Sequence, residues 1–265
     1  MKVGYRAWAL FLLVTISVST HVAAQSPMAI SLVEDPWPPY IEGQVGENAT
    51  GGKLIELYRE LFSRIDGVEV QYLLLPWKRA LLEVERGRQD GIMALFKSPD
   101  RASVMDFTAP IFTGRTMLWY AQSKYAEPIN WDTIDDLKAY NIVVLRGSAM
   151  ADPLLDAVDR GIPLSIVEVD SHQQQFELVL KGRADIAPLT EVVGYHLLNQ
   201  EELKGTMLPM EKPLSDDDVY YMAFSKKSPA RKLIPRINAV IDEMQKEGLI
   251  ARFLLGDSSA ELPSN

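Results

Sequence analysis

The chain has 265 residues, 47% of them apolar and 24% charged, with no cysteine and a net charge of −9. That charge argues against nucleic acid or an anionic membrane surface as partner. The missing cysteines exclude disulfides and, with only three histidines, argue against a transition-metal site. Residues 1–6 carry Lys2 and Arg6, residues 7–19 are uncharged, and Val22-Ala23-Ala24 closes the stretch in small side chains. This is the layout of a secretory signal peptide (1–24), cut before Gln25. Its apolar run falls short of the roughly twenty residues a membrane anchor needs. Removing it takes away two basic groups and shifts the net charge from −9 to −11. About 240 residues remain, enough for two ordinary domains. With no cysteine at the cut to carry a lipid, the mature chain is expected free in a periplasm, without membrane insertion.

The elements then alternate. Residues 28–34 read as a strand that leads into an irregular loop over 35–52. A helix follows, with Leu54, Ile55, Tyr58, Leu61, Phe62 and Ile65 on one face. Residues 68–75 form a strand ended by Pro76, followed by a helix, Gly87 and a strand from Gly91. The order recurs further on: a strand at 141–145, a helix capped by Ser148, a strand at 164–169, a helix capped by Ser171, and a strand from Ile186. A further helix runs from about residue 191 to 199. Residues 116–121 and 219–224 are β-rich and read as two crossing connections, and residues 228–255 are helical. Alternating β and α elements imply mostly parallel sheets. The expectation is an α/β chain of two lobes, each a sheet flanked by helices, joined by two hinge strands. Lobe one would comprise residues 25–118 and 220–265, and lobe two residues 119–219.

The sequence Gly-Arg-x-Asp supports the duplication, occurring as Gly87-Arg88-Gln89-Asp90 and as Gly182-Arg183-Ala184-Asp185. Each copy closes an apolar-periodic helix and opens a short apolar run, with the glycine just past the helix end. Two lobes make a cleft, a preferred place for a small ligand. Ser98-Pro99-Asp100-Arg101 stands after the strand from Gly91, at the carboxyl end where open α/β sheets bind ligands. An arginine there presents a planar fork suited to a carboxylate, and a hydroxyl beside it adds a donor.

These motifs, together with Pro38-Pro39-Tyr40, Asp106-Phe107-Thr108-Ala109-Pro110, Asp136-Leu137-Lys138 and Arg146-Gly147-Ser148, stand in the order of a known family. From about residue 28 to 254 the chain resembles the bacterial extracellular solute-binding proteins of family 3, the polar amino-acid-binding type. The run Pro76-Trp77-Lys78-Arg79-Ala80-Leu81 is similar to one subgroup of them. The resemblance implies a type II periplasmic-binding-protein fold that closes on its ligand by a hinge motion. It implies a monomeric receptor that delivers a small polar carboxylate to the permease of an ABC transporter, with no cofactor and no catalysis. Arg101 and Ser98 would grip the carboxylate. Arg146, Gly147 and Ser148 would offer a turn and helix start that suit an anion. Tyr40 and Trp37 would cover the ligand, and Trp77 would be either cleft wall or core. Thr190 stands where amino-acid binders of the family carry an Asp for the ligand's ammonium, with Glu191 beside it. Either Glu191 takes that role, or the ligand has no α-amino group.

Two other functions fit the same resemblance. Some relatives are periplasmic dehydratases acting on cyclic carboxylates such as prephenate or arogenate, and a buried Glu191 could supply the acid. A ligand-sensing partner of a membrane signalling protein is the third. His172 is expected in a first helical turn without a role, and Asp216-Asp217-Asp218 in a solvated loop.

Overall fold

A computed structural model describes residues 26–125, 127–199 and 205–255. The segment read as a signal peptide lies outside them. Among the described residues, no helix is long and apolar enough to cross a membrane.

The first lobe begins with β1 (Met28–Glu34), α1 (Lys53–Ser63), β2 (Val68–Leu74), α2 (Trp77–Glu85), β3 (Gly91–Leu95) and α3 (Pro99–Val104). β1 pairs in parallel with β2 along its whole length, and with β3 at Leu32 and Val33. The seventeen-residue β4 (Met105–Ala121) leads into the second lobe. There follow β5 (Asn141–Leu145), α4 (Asp152–Asp159), β6 (Ser165–Val169), α5 (His172–Leu180), β7 (Ile186–Thr190), α6 (Glu191–Leu198) and β8 (Met207–Pro209). The chain returns along β9 (Ser215–Ser225) and ends in α7 (Ile234–Lys246) and α8 (Leu249–Leu255). One sheet joins everything, in the order β2-β1-β3-β9-β4-β7-β5-β6, with β8 beside β4.

Helices cover both faces of this sheet in each lobe. In the first, Leu54, Tyr58, Ile237 and Ile241 pack on one side, and Val33, Ala80, Val84 and Ile92 on the other. In the second, Val143, Phe176, Val179 and Ala187 gather around Trp119, while Leu118, Ile142, Val144, Leu154 and Ile186 fill the opposite face. Strands buried on both faces are apolar at successive positions rather than at alternate ones. Residues 141–145 and 186–190 read that way for this reason.

The repeated Gly-Arg-x-Asp performs one structural task twice. Gly87 and Gly182 follow α2 and α5 at φ +75° and +66°, the left-handed conformation that ends a helix. The carboxylate of Asp90 accepts from the amide and the hydroxyl of Ser31 on β1, at 2.8 and 3.1 Å. The carboxylate of Asp185 accepts from the amide and side chain of Asn141 on β5, at 2.7 and 3.1 Å. Each aspartate thus pins its helix–strand turn to the first strand of its own lobe.

The crossing strands are longer than the apolar runs suggest. β4 pairs antiparallel with β9 from Met105↔Ser225 to Thr116↔Ser215, then with β7 from Thr116↔Thr190 to Tyr120↔Ile186. Polar residues interrupt the apolar pattern where neither lobe's core reaches. The acidic run 216–218 lies on β9 and not in a solvated loop. Asp218 is buried there and accepts the hydroxyl of Thr116.

Candidate functional site

The lobes face each other across the carboxyl ends of β1, β3, β5 and β6. Between them is a cavity with about 360 Å³ of space not filled by atoms, part of it open to solvent. Glu34, Asp35 and Trp37 line it from the end of β1, Phe96 and Arg101 from beyond β3, and Trp77 from the start of α2. Ser148, Met150 and His172 line it from the second lobe, and Tyr220 from β9.

Arg101 is held in place by groups of the protein itself. Ser98 is the N-cap of α3, its Oγ accepting the Arg101 amide at 3.3 Å. The guanidinium lies 5.6 Å from the Trp77 ring centroid, a cation–π stack. It donates to the carbonyl of Phe96 at 2.8 Å and to that of Gly147 across the cleft at 3.3 Å. Among the described residues it forms no ion pair with a carboxylate. The indole Nε1 of Trp77 donates to the same Gly147 carbonyl at 2.9 Å, so two side chains of lobe one converge on one turn of lobe two. Ser148 caps the short helical turn that follows, its Oγ accepting the Met150 amide at 3.4 Å.

Three titratable groups of the cavity are buried. The Glu34 carboxyl is raised well above the usual range by burial and by the neighbouring Asp35, against smaller opposing effects of the Ala94 and Asp35 amides and of Arg101. Burial pushes the Asp35 carboxyl up to about 7 and the His172 imidazole down to about 4. His172 Nε2 lies 3.9 Å from Asp35 Oδ2, close enough for an ion pair if protonated. Burial keeps the ring neutral at pH 7, so this approach is a cross-lobe contact and not a salt bridge.

Trp37, Trp77, Arg101 and Ser148 thus meet at the cavity. Ser98 and Gly147 act on it indirectly, one as cap and the other through its carbonyl. Arg146 does not join them, because Glu168 and Asp170 hold its guanidinium on the surface at 3.0 and 2.9 Å. Tyr40, Thr190 and Glu191 line a separate depression beside β4 and α8. Tyr40 is buried within a ring cluster with Trp37 and Phe112, at centroid distances of 4.6 and 5.4 Å. Glu191 pairs with Arg115 at 3.4 Å, outside the cavity. The acid required for the dehydratase reading is therefore not at the cleft. Glu34, Asp35, Phe96, Met150, His172 and Tyr220 were not among the expected site residues. Glu34-Asp35 carries a readable sign, an acidic pair at the carboxyl end of an apolar strand.

The sequence pattern of the bacterial extracellular solute-binding proteins, family 3, matches residues 30–254. The chain is 23% identical over 203 residues to the probable amino-acid-binding protein YxeM of Bacillus subtilis (strain 168), covering 75% of this chain and 72% of the relative. Its fold is similar to that of an ancestral arginine-binding protein bound to arginine, with TM-score 0.72 and 18% identity over 87% of this chain and 97% of that one. A histidine kinase sensor domain with similarity to periplasmic binding proteins matches at TM-score 0.72 and 19% identity, over 88% and 96%. At these identities the solved structures speak for the fold, the two-lobe type II arrangement.

Proposed function

Because the chain belongs to the bacterial extracellular solute-binding proteins, family 3, we propose that its cleft captures a small polar carboxylate, an amino acid or an analogue, and delivers it to an ABC permease. The protein acts in the periplasm after loss of residues 1–24, as a monomer that docks on the permease in its closed form. It binds without chemical turnover. One observation carries the ligand class. Arg101 is a cation at the cavity wall, stacked on Trp77 and bonded to carbonyls, forming no ion pair among the described residues although Asp152 and Glu34 act on it through space. A ligand carboxylate would replace the weaker contact to Gly147 with charge-assisted bonds, each worth about 1.5–3 kcal/mol net.

The test is calorimetric titration of protein stripped of ligand by unfolding and refolding, against amino acids and their deaminated analogues. Arg101→Met should keep the fold and weaken carboxylate binding at least tenfold, about 1.4 kcal/mol. An unchanged Kd in the Arg101→Met protein would sink the assignment.

A further inference from the structure

Thr190, at the position where the resemblance implies an acid for the ligand's ammonium, is engaged within the protein. Thr190 is buried, with its Oγ1 3.1 Å from the Tyr220 hydroxyl and 3.9 Å from Met150 Sδ. Glu191 beside it is committed to Arg115. The opposite wall holds the reverse: two carboxyl groups with no ion-paired cation among the described residues, Arg101 acting on Glu34 only through space. Glu34 is 2% exposed and Asp35 5%, and both line the cavity. One oxygen of Glu34 accepts the Ala94 amide at 2.8 Å. The other groups facing the pair are the Arg101 guanidinium of α3, the His172 ring of α5, and the hydroxyls of Tyr58 and Tyr220. Tyr58 donates to the Met93 carbonyl and Tyr220 is engaged with Thr190. Among the described residues no lysine or arginine forms an ion pair with Glu34 or Asp35. Two residues on, Trp37 is also buried, and its Nε1 has no hydrogen-bond partner among the described residues. A buried donor without an acceptor is uncommon, and each such group calls for a partner. Paired carboxyls in an apolar wall must stay protonated or receive a cation.

We propose that the ligand's cationic group is held by Glu34 and Asp35 at the end of β1, with His172 closing over it from lobe two and Trp37 Nε1 donating to an acceptor on the same molecule. This rests on the carboxylate reading of Arg101 and deepens it. The ligand class is then an aminocarboxylate with its amine directed to lobe one, so the missing acid at Thr190 does not exclude an amine. Binding expels a proton from the carboxyl pair to the buffer, because the Asp35 carboxyl, near 7, is partly protonated at neutral pH.

Four probes separate the groups in calorimetric titrations of the ligand-stripped mature chain: L-ornithine, 5-aminovalerate, putrescine and glutarate. L-ornithine and 5-aminovalerate should bind, and glutarate should bind at least about tenfold more weakly. Glu34→Gln, which keeps an acceptor for the Ala94 amide, and Asp35→Asn should each weaken L-ornithine at least about tenfold while leaving glutarate unchanged. The L-ornithine heat at pH 7 should vary with the buffer's ionisation enthalpy, reporting on the order of one proton released. Equal affinity for glutarate and L-ornithine, or L-ornithine affinity unmoved by both variants, overturns the proposal. Should either variant fail to fold, the absence of proton release in the wild-type chain overturns it as well. If Arg101→Met loses L-ornithine while Glu34→Gln and Asp35→Asn keep it, this inference fails alone. If putrescine binds in a Glu34-dependent way and no carboxylate does, the carboxylate reading fails and the aminocarboxylate class with it, leaving only a cation site at Glu34 and Asp35. Silence of all four probes overturns both.

Discussion

Glu34, Asp35 and His172 share one cavity, and burial moves their titrations in opposite directions. A carboxyl raised in the folded state contributes stability below its unfolded value, lost as pH rises through the folded one. Asp35, pushed from 3.8 up to about 7, therefore makes the ligand-free chain less stable as pH climbs between those values, and Glu34, raised in the same direction, adds to the loss. His172 works the other way, since an imidazole lowered to about 4 costs stability as pH falls from 6.5 toward 4. Thermal unfolding across pH 4 to 8 checks this. Asp35→Asn should flatten the loss on the alkaline side, and His172→Gln should steepen the gain on acidification. A His172→Gln profile that parallels the wild type would show that the ring is not buried neutral. At this scale the sequence was legible where backbone position fixes the side chain. Arg101 and Ser148 follow strands of a parallel sheet, so their place at the cleft follows from the order of elements. Arg146 occupies an equivalent turn, yet its direction is set by Glu168 and Asp170 on and just after β6, acids distant in sequence. His172 was missed because its burial comes from the opposite lobe.

Among the elements, α6 and α2 make opposite demands on their contacts. Gly194 lies in α6, where alanine would ordinarily favour the helix by about 1 kcal/mol. Here a Cβ would stand 2.1 Å from a ring carbon of Trp119, which is fully buried. Gly194→Ala should therefore destabilise the second lobe by about 1–3 kcal/mol, seen as a lower denaturation midpoint. At the head of α2, Trp77 reaches across the cleft to Gly147. Trp77→Phe keeps the ring and removes that bond, which should cost the closed ligand-free form about 0.5–1.5 kcal/mol. Small-angle scattering of the unliganded protein would show a larger radius of gyration, and an identical radius would assign the bond no part in closure. The alternating order and the helix ends were readable because burial on both faces and a glycine past the helix leave local signatures. The full extent of β4 and β9 was not. Residues 112–114 and 218–220 gain their strand partners from each other, and pairing between residues 105 and 225 has no local sign.

At the scale of the whole molecule, the sheet order places the chain's own sequence out of spatial order. β9 lies between β3 and β4 in the first lobe, although it follows every strand of the second. The two lobes were legible because Gly-Arg-x-Asp marks the same turn in each. Their mutual approach was not, since Trp77, Arg101 and Asp35 meet Gly147 and His172 only after both lobes exist. Contact between the lobes therefore rests on a few side chains at the cleft, while β4 and β9, paired along the crossing, join them. The same topology orders events on an exported chain that emerges N-terminus first. Once Thr190 has emerged, the β4, β5, β6 and β7 strands of the second lobe are all present and can pair at once. β3 and β4 of the first lobe then still wait, with unpaired edges, for a strand that begins at Ser215. Open edges of this kind invite pairing with other chains. The part of the protein that emerges first is the part completed last, and it is there that a chaperone or a rapid finish to export would matter most.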